Sequence, residues 1–355
     1  MKSLSSLRIV EIGDKAYIKN AFPEQTSHFS TAFVPNEENP AAGLRAFGVT
    51  SIIPLWHLLR EADLIVCHPT FHSPWHWRWL SRALFDRRTL RGQLPIIRAF
   101  GPQMLRFPTR APVAVIDTED LPLINRNNFF LLDRCKLYFK RELPTDYWRL
   151  FMKTGHPQLP TPRFRSLAKY QRRLKKIRPI SIGVPMSGQN LLPSAPLPKT
   201  VDVFFAGIVK GSSTVREKGF AELVALRNNG ITIDIPDRFL QPAEFYERCA
   251  RAWLVWSPEG LGWDCFRHYE ASACGSVPVI NRQNIERHKP LRHGEHAIYY
   301  DVEDNGLTAA IHWGLADKER LRAMADAGKN HVLVHHSAQA GADYVVRTTV
   351  ENENS

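Results

Sequence analysis

Two short stretches hold the side chains best suited to chemistry. The first is Ser257–Ile280, SPEGLGWDCFRHYEASACGSVPVI. It reads as the end of a buried strand, a glycine-containing loop at Pro258–Trp263, and a helix from Asp264 to Cys274. Asp264 is placed to cap that helix and Gly275 to end it. A helix starting there turns free N–H groups and the positive end of its dipole toward the strand's carboxyl end, which suits a phosphate. Arg267 in the first turn and Glu270 three residues on share one side of the helix. A cation for a pyrophosphate and a carboxylate for ribose hydroxyls would serve a nucleotide. The same spacing also fits a plain intrahelical ion pair. The second stretch follows the strand Val201–Ala206: Gly207, the loop IVKGSST, then Arg216-Glu217-Lys218-Gly219. Arg216 and Lys218 are placed for a diphosphate, or form a solvated first helical turn. Basic residues there oppose the helix dipole, which favours the first reading. The glycines Gly260 and Gly262 form neither a GxGxxG nor a Walker loop, so NAD and ATP fingerprints are absent.

The scaffold for these loops is legible in the rhythm of the chain. From Val201 on, strands are predicted at Val201–Ala206, Ile231–Ile235, Ala252–Ser257, Val277–Ile280 and Ala297–Tyr300. Helices are predicted at Thr214–Asn228, Pro242–Arg251, Asp264–Cys274, Gly306–Leu315 and Lys318–Val334. This β-α-β succession builds a parallel sheet with helices on both faces, whose ligands bind at the carboxyl ends of the strands. The N-terminal half alternates similarly. Strands are predicted at Leu7–Ile12, Asp63–Cys67, Leu94–Arg98, Pro112–Ile116 and Leu137–Phe139, with helices at Pro54–Arg60 and Trp75–Phe85. Residues 156–200 are rich in Pro, Ser and Gly around one helical segment, Ser166–Ile177, and mark a domain boundary. The expected organisation is a domain at 1–180, a linker at 181–200, a second domain at 201–340 and a tail at 341–355.

The N-terminal half offers weaker chemistry. Asp117, Glu119 and Asp120 follow one strand and His68 follows another. Asp117 and His68 are the candidates for a general base, with a structural or solvated role as the alternative. His68, His72 and His76 have metal-face spacing, but Pro69 and Pro74 interrupt the helix that a metal face requires, and no metal is expected. Trp75, Trp77 and Trp79 fit either a sugar-stacking wall or core. His331, His335 and His336 read as surface or polar-contact residues. In Ser166–Ile177, Leu167, Tyr170, Leu174 and Ile177 form an apolar stripe among Lys169, Arg172, Arg173, Lys175 and Lys176. Such a helix either meets an anionic membrane through 166–178 or packs on its own domain. No nucleic-acid reader motif accompanies it.

SPEGLGWDCFRHYEASACGSVPVI resembles the donor-site segment of GT-B glycosyltransferases, especially the exostosin-like and CgeB-like branches, and the upstream FFAG…VREKG resembles their first strand and loop. The resemblance covers roughly residues 201–336. It implies two Rossmann-like domains with mainly parallel sheets and a cleft between them, the N-terminal one for the acceptor and the C-terminal one for the donor. It also implies a nucleoside-diphosphate sugar as donor substrate, with no further cofactor, and a glycan or lipid-linked hydroxyl as acceptor. Glu270 would hold the ribose, and Arg267 with Arg216 or Lys218 the diphosphate, beside Gly207 and Gly262. The sequence departs from the wider superfamily at one point. A second glutamate often stands eight residues before the first, and here Gly262 occupies that position while Glu259 lies eleven before. Retention or inversion is therefore unassigned. A non-catalytic protein that kept the fold to bind glycans or anionic surfaces is the alternative, and sugar epimerisation a further one.

Composition sets outer bounds. The chain has 355 residues, 44% hydrophobic and 23% charged, which excludes wholesale disorder. Five cysteines without a C-x-x-C pair read as reduced thiols in a cytosol, and no apolar run reaches the ~20 residues of a membrane span. The expected location is cytoplasmic, with the membrane contact peripheral. The 47 basic and 35 acidic residues give a charge of +12. Eleven of the basic residues, and no acidic one, lie between Tyr147 and Val201. The rest of the chain, at 36 against 35, is nearly neutral.

Overall fold

The structure is a computed structural model and describes residues 4–31, 45–70, 100–152 and 168–351. The expected helix at Trp75–Phe85, the strand at Leu94–Arg98, His72, His76, the three tryptophans between them and the start of the basic helix lie outside the described residues. The chain divides into two compact units. The first comprises Met1–Pro179 with Ala342–Ser355, and the second Ile180–Gly341.

The first unit is built on seven strands: β1 (Ile9–Gly13), β2 (Thr26–Ser30), β3 (Arg45–Ala46), β4 (Leu64–Cys67), β5 (Val113–Asp117), β6 (Leu137–Lys140) and β7 (Ile177–Pro179). Their order is β3-β2-β1-β4-β5-β6-β7, every neighbouring pair parallel. The central strands are apolar runs buried on both faces, as a sheet covered by helices on both sides requires. The helices α1 (Tyr17–Ala21), α2 (Ile52–Glu61), α3 (Phe129–Arg134) and α4 (Ala168–Leu174) belong to this unit. The basic helix is shorter than predicted, because Ile177 has joined β7. Its apolar stripe is already occupied: Tyr170 stacks on Phe151 at 4.7 Å, and Leu174 packs on the same core. Arg173 turns inward to a two-pronged pair with Asp133 (2.7 and 2.6 Å), and Lys176 donates to the carbonyls of Leu132 and Asp133. Among the described residues, the apolar side chains of this stripe are thus packed on the first unit's core.

In the second unit the strands β8 (Val201–Phe204), β9 (Ile233–Asp234), β10 (Ala252–Trp256), β11 (Val277–Asn281) and β12 (Ile298–Tyr300) form a parallel sheet of order β9-β8-β10-β11-β12. Its helices are α5 (Met186–Gln189), α6 (Thr214–Ala225), α7 (Pro242–Arg251), α8 (Phe266–Ala273), α9 (Gly306–Leu315) and α10 (Lys318–His335). Residues 181–200, expected as a linker, fold into this unit. Lys199 anchors them, with Nζ within 2.6–2.9 Å of the carbonyls of Ala250, Ala252 and Gly275 and the hydroxyl of Ser276. Burial pushes its ammonium down to about 8. The predicted tail is instead a helix, α11 (Ala338–Glu351). From Ala342 on it belongs to the first unit, where Ala342, Val345, Val346 and Thr349 are buried and Tyr344 Oη donates to the carbonyl of Pro179 (3.2 Å). The 3-and-4 spacing of those four residues is the helical signal that the tail reading passed over.

Helix α6 approaches β10 closely because Gly219 has no side chain. A Cβ there would overlap the fully buried indole of Trp256, whose N–H is held by Tyr300 Oη at 3.0 Å. Gly219→Ala is therefore expected to cost about 1–3 kcal/mol, read as a lowered midpoint in thermal unfolding with the secondary structure intact.

Candidate functional site

In the second sheet the strand order reverses between β8 and β10, and ligands of such sheets bind beyond the carboxyl ends at that point. The loops emerging there are the two singled out in the sequence. Gly207 and the residues after it follow β8, and Ser257–Cys265 follow β10. They bring Arg216, Arg267, Glu259 and Glu270 into one neighbourhood.

Arg267 is the unusual member. It does not pair with Glu270. Its Nη2 donates to the carbonyl of Ala206, and its Cζ lies 5.3 Å above the Phe205 ring. The residue as a whole is half-buried, yet Nε and Nη1 are cut off from solvent and have no hydrogen-bond partner among the described residues. Burial, and the neighbouring cation Arg216, hold its pKa below that of a free guanidinium. Gly207 makes room for it, since a Cβ at that position would stand 2.7 Å from Nη2. A buried guanidinium with two vacant donors is costly unless an anion fills them.

The backbone around it is pinned. Ser213 caps α6 by accepting the Arg216 N–H (3.2 Å) and donates to the carbonyl of Glu259 (3.3 Å). Arg216 donates to the same carbonyl through Nε (2.8 Å) and to that of Ile208 through Nη1 (2.9 Å). A Cβ on Gly260 would lie 2.7 Å from Arg216 Nη2, so the glycine loop lies against this side chain. Glu259 is clamped by Asn281, which accepts its N–H (2.9 Å) and donates to its Oε2 (2.8 Å). Burial holds the Glu259 carboxyl above its ordinary range. Gly262 is buried within the loop, its carbonyl accepting the N–H of Gly260 at 3.0 Å.

Helix α8 begins two residues later than predicted, and Asp264 does not cap it. Cys265 stands at the cap position but makes no side-chain cap bond, its thiol turning to the carbonyls of Pro258 and Gly262, both at 3.7 Å. Asp264 is instead a buried hub that accepts from the Ile182 N–H (2.8 Å), Tyr269 Oη (2.7 Å) and Arg287 Nε (3.0 Å). The first N–H groups of α8 are left without a side-chain cap, as an anion-binding helix start needs. Behind them the buried His268 joins Ser257 Oγ (2.7 Å, Nδ1) to the carbonyl of Trp263 (3.2 Å, Nε2). The carbonyl can only accept, so Nε2 carries the proton and the neutral ring accepts from the hydroxyl.

Glu270 lies three residues beyond Arg267 and accepts the hydroxyl of Tyr246 at 2.7 Å. Burial raises its pKa, while Tyr246 and Arg267 pull it back. The Tyr246 contact comes from α7, and no sequence spacing signals it. Lys218 faces elsewhere, in an exposed pair with Asp304 at 2.8 Å.

In the first unit both base candidates are already engaged. Asp117 is buried and accepts from Tyr138 Oη (2.7 Å) and the buried Lys140 Nζ (3.1 Å). His68 is buried with Nε2 3.0 Å from Oε1 of Glu11, and its ring fills the space beside Gly13. Glu11 also accepts the N–H groups of Ile18 and Lys19, both at 2.9 Å. Its burial alone would raise its pKa, but His68, His28 and the Ile18 N–H outweigh that and hold it low. Among the described residues no three His, Cys, Asp or Glu side chains are grouped to hold a metal, and no helix is long and apolar enough to cross a membrane.

Residues 240–347 match a family model described as glycosyl transferase-like. A search of curated proteins by sequence finds no match. Among solved structures, an alpha-glucosyltransferase in complex with UDP and DNA aligns with a TM-score of 0.53 at 10% identity, over 94% of this chain and 96% of that one. Sucrose-phosphate synthase from Thermosynechococcus elongatus aligns at 0.51 and 12% identity, over 96% and 98%. A glycosyltransferase from Rickettsia africae aligns at 0.52 and 9%, over 98% of both chains. The fold is GT-B, with two Rossmann-like units.

The histidines of the second unit make its stability pH-dependent. Burial holds His268 and His336 down to about 3, below the 6.5 of an unfolded chain. Below pH 6.5 the unfolded chain takes up these protons and the folded one does not. Stability is thus full above 6.5 and is lost as pH falls toward 3, by about 3 kcal/mol per pH unit for the two groups. Denaturant unfolding between pH 7.5 and 4.5 measures it. His336→Gln, whose amide can still donate to the carbonyl of Lys289, is expected to remove about one proton from that slope.

Proposed function

We propose that the chain is a glycosyltransferase that moves a sugar from a nucleoside diphosphate to a hydroxyl of a glycan or lipid-linked acceptor. The observation that carries this is Arg267, whose two buried, vacant donors lie beside the uncapped start of α8. The matched family model and the UDP bound by one aligned structure support it.

When the bond between the sugar's anomeric carbon and the diphosphate oxygen breaks, negative charge collects on the phosphate. Arg267 is held by the carbonyl of Ala206 and the first N–H groups of α8 are held by the helix they begin, so they meet that charge without reorganising. Arg216 adds positive charge and holds the loop in place. Glu270, oriented by Tyr246, accepts the ribose hydroxyls in its ionised form. The alternative, binding without turnover, is favoured by the internal partners of Asp117 and His68.

Calorimetry with UDP, GDP, CMP and dTDP tests the site, and product analysis with the corresponding sugars tests turnover. Arg267→Met is expected to weaken nucleotide binding by about two to four orders of magnitude, the worth of a pair of charge-assisted hydrogen bonds. It should leave the unliganded protein no less stable, since it removes a buried charge of which two donors are unpartnered. Unchanged affinity would refute the assignment. Binding without turnover for any donor would support the alternative. Affinity is also expected to fall as pH is lowered through the raised pKa of Glu270. Glu270→Gln should show weaker binding with that pH dependence removed.

A further inference from the structure

We propose that the outward face of α2, together with the loop around Phe107, is a seat for an anionic lipid surface. A helix on the surface of a soluble domain ordinarily turns polar residues outward. Helix α2, IIPLWHLLRE, buries Leu55 and Leu59 and still presents apolar residues to solvent, with Ile52 42%, Ile53 69% and Trp56 37% exposed. Phe107, 57% exposed, meets Trp56 edge to face at 5.7 Å, so the apolar surface continues from the helix onto the loop.

Charge selects the occupant. Arg60 stands 5.9 Å over the Trp56 ring, and the exposed Arg106 and Arg110 flank Phe107. Arg106 is held over Phe130 at 4.1 Å and bonded to Gln103, so the loop is braced from behind. Glu61, the one acidic residue of α2, pairs with Arg8 at 3.7 Å. Exposed Trp, Phe and Ile ringed by arginines fit the boundary between headgroups and acyl chains. There the aromatic rings sit at headgroup depth and the cations meet lipid phosphates. One patch of this size gives reversible attachment. The contact is not the one that the basic segment 166–178 suggests, because the described apolar residues of α4 are packed and Arg173, with Lys176 just beyond the helix, is engaged.

The test is co-sedimentation of the full chain with vesicles of phosphatidylcholine, with and without phosphatidylglycerol. The native chain is expected to bind the anionic vesicles only. Trp56→Ser with Phe107→Ser, at exposed positions, should fold normally by circular dichroism and bind about tenfold less, a difference of about 1.4 kcal/mol. Arg60→Gln with Arg110→Gln should lose the preference for phosphatidylglycerol, and the α4 variant, Arg172→Gln with Lys175→Gln just beyond the helix, should bind as the native chain does. Native protein left in the supernatant, equal binding by the Trp56/Phe107 variant, or loss of binding only in the α4 variant would overturn the proposal. A native dimer that this variant makes monomeric, without vesicle binding, would assign the face to a second copy and equally overturn it.

Discussion

The site depends on a guanidinium held where the protein does not satisfy it. Arg267 spends one nitrogen on a backbone carbonyl and leaves two buried donors without partners. Leaving them so costs free energy in the unliganded chain, and most of that cost returns when an anion enters. Much of the surrounding geometry serves this arrangement. Gly207 yields space to the side chain, Phe205 lies under it, and the uncapped start of α8 adds N–H groups to the same place.

A strained charge of this kind keeps its position only if the backbone around it cannot relax. Asp264 supplies that rigidity by binding three partners from different parts of the second unit. His268 ties the end of β10 to the glycine loop, and Asn281 clamps Glu259. These are buried polar groups with their bonds made, so each resists displacement: breaking one strands the others. Lys199 does the same for the start of the unit, where a segment of linker composition is fixed by four acceptors around one ammonium.

The second unit was largely legible in the sequence because its punctuation is local. Pro242–Arg251 is found as predicted, and Gly230 and Gly275 close their helices with φ of +76° and +74°. Arg267, Glu270 and Arg216 come together because a strand-loop-helix order puts them at one sheet edge. What the sequence hid is what depends on distant partners. Asp264 looked like a cap because the Ile182 N–H, 82 residues away, leaves no trace in local spacing. Lys218 looked like Arg216 but turns to Asp304. The basic helix left membrane contact and packing both open because nothing near it announces Asp133, which binds its Arg173. The C-terminal helix was missed for a different reason, since its spacing was readable and its polar residues drew the reading toward a tail.

The two units handle charge differently. In the first, Glu11 is paired with His68 and Asp117 with Lys140, each contact buried. In the second, the balance is left open at Arg267. The direct measurement of this contrast is a crystal structure with a nucleoside diphosphate bound. The account predicts phosphate oxygens within hydrogen-bonding distance of Nε and Nη1 of Arg267, with ribose hydroxyls on Glu270. A nucleotide bound elsewhere, with those two nitrogens still unpartnered, would contradict it.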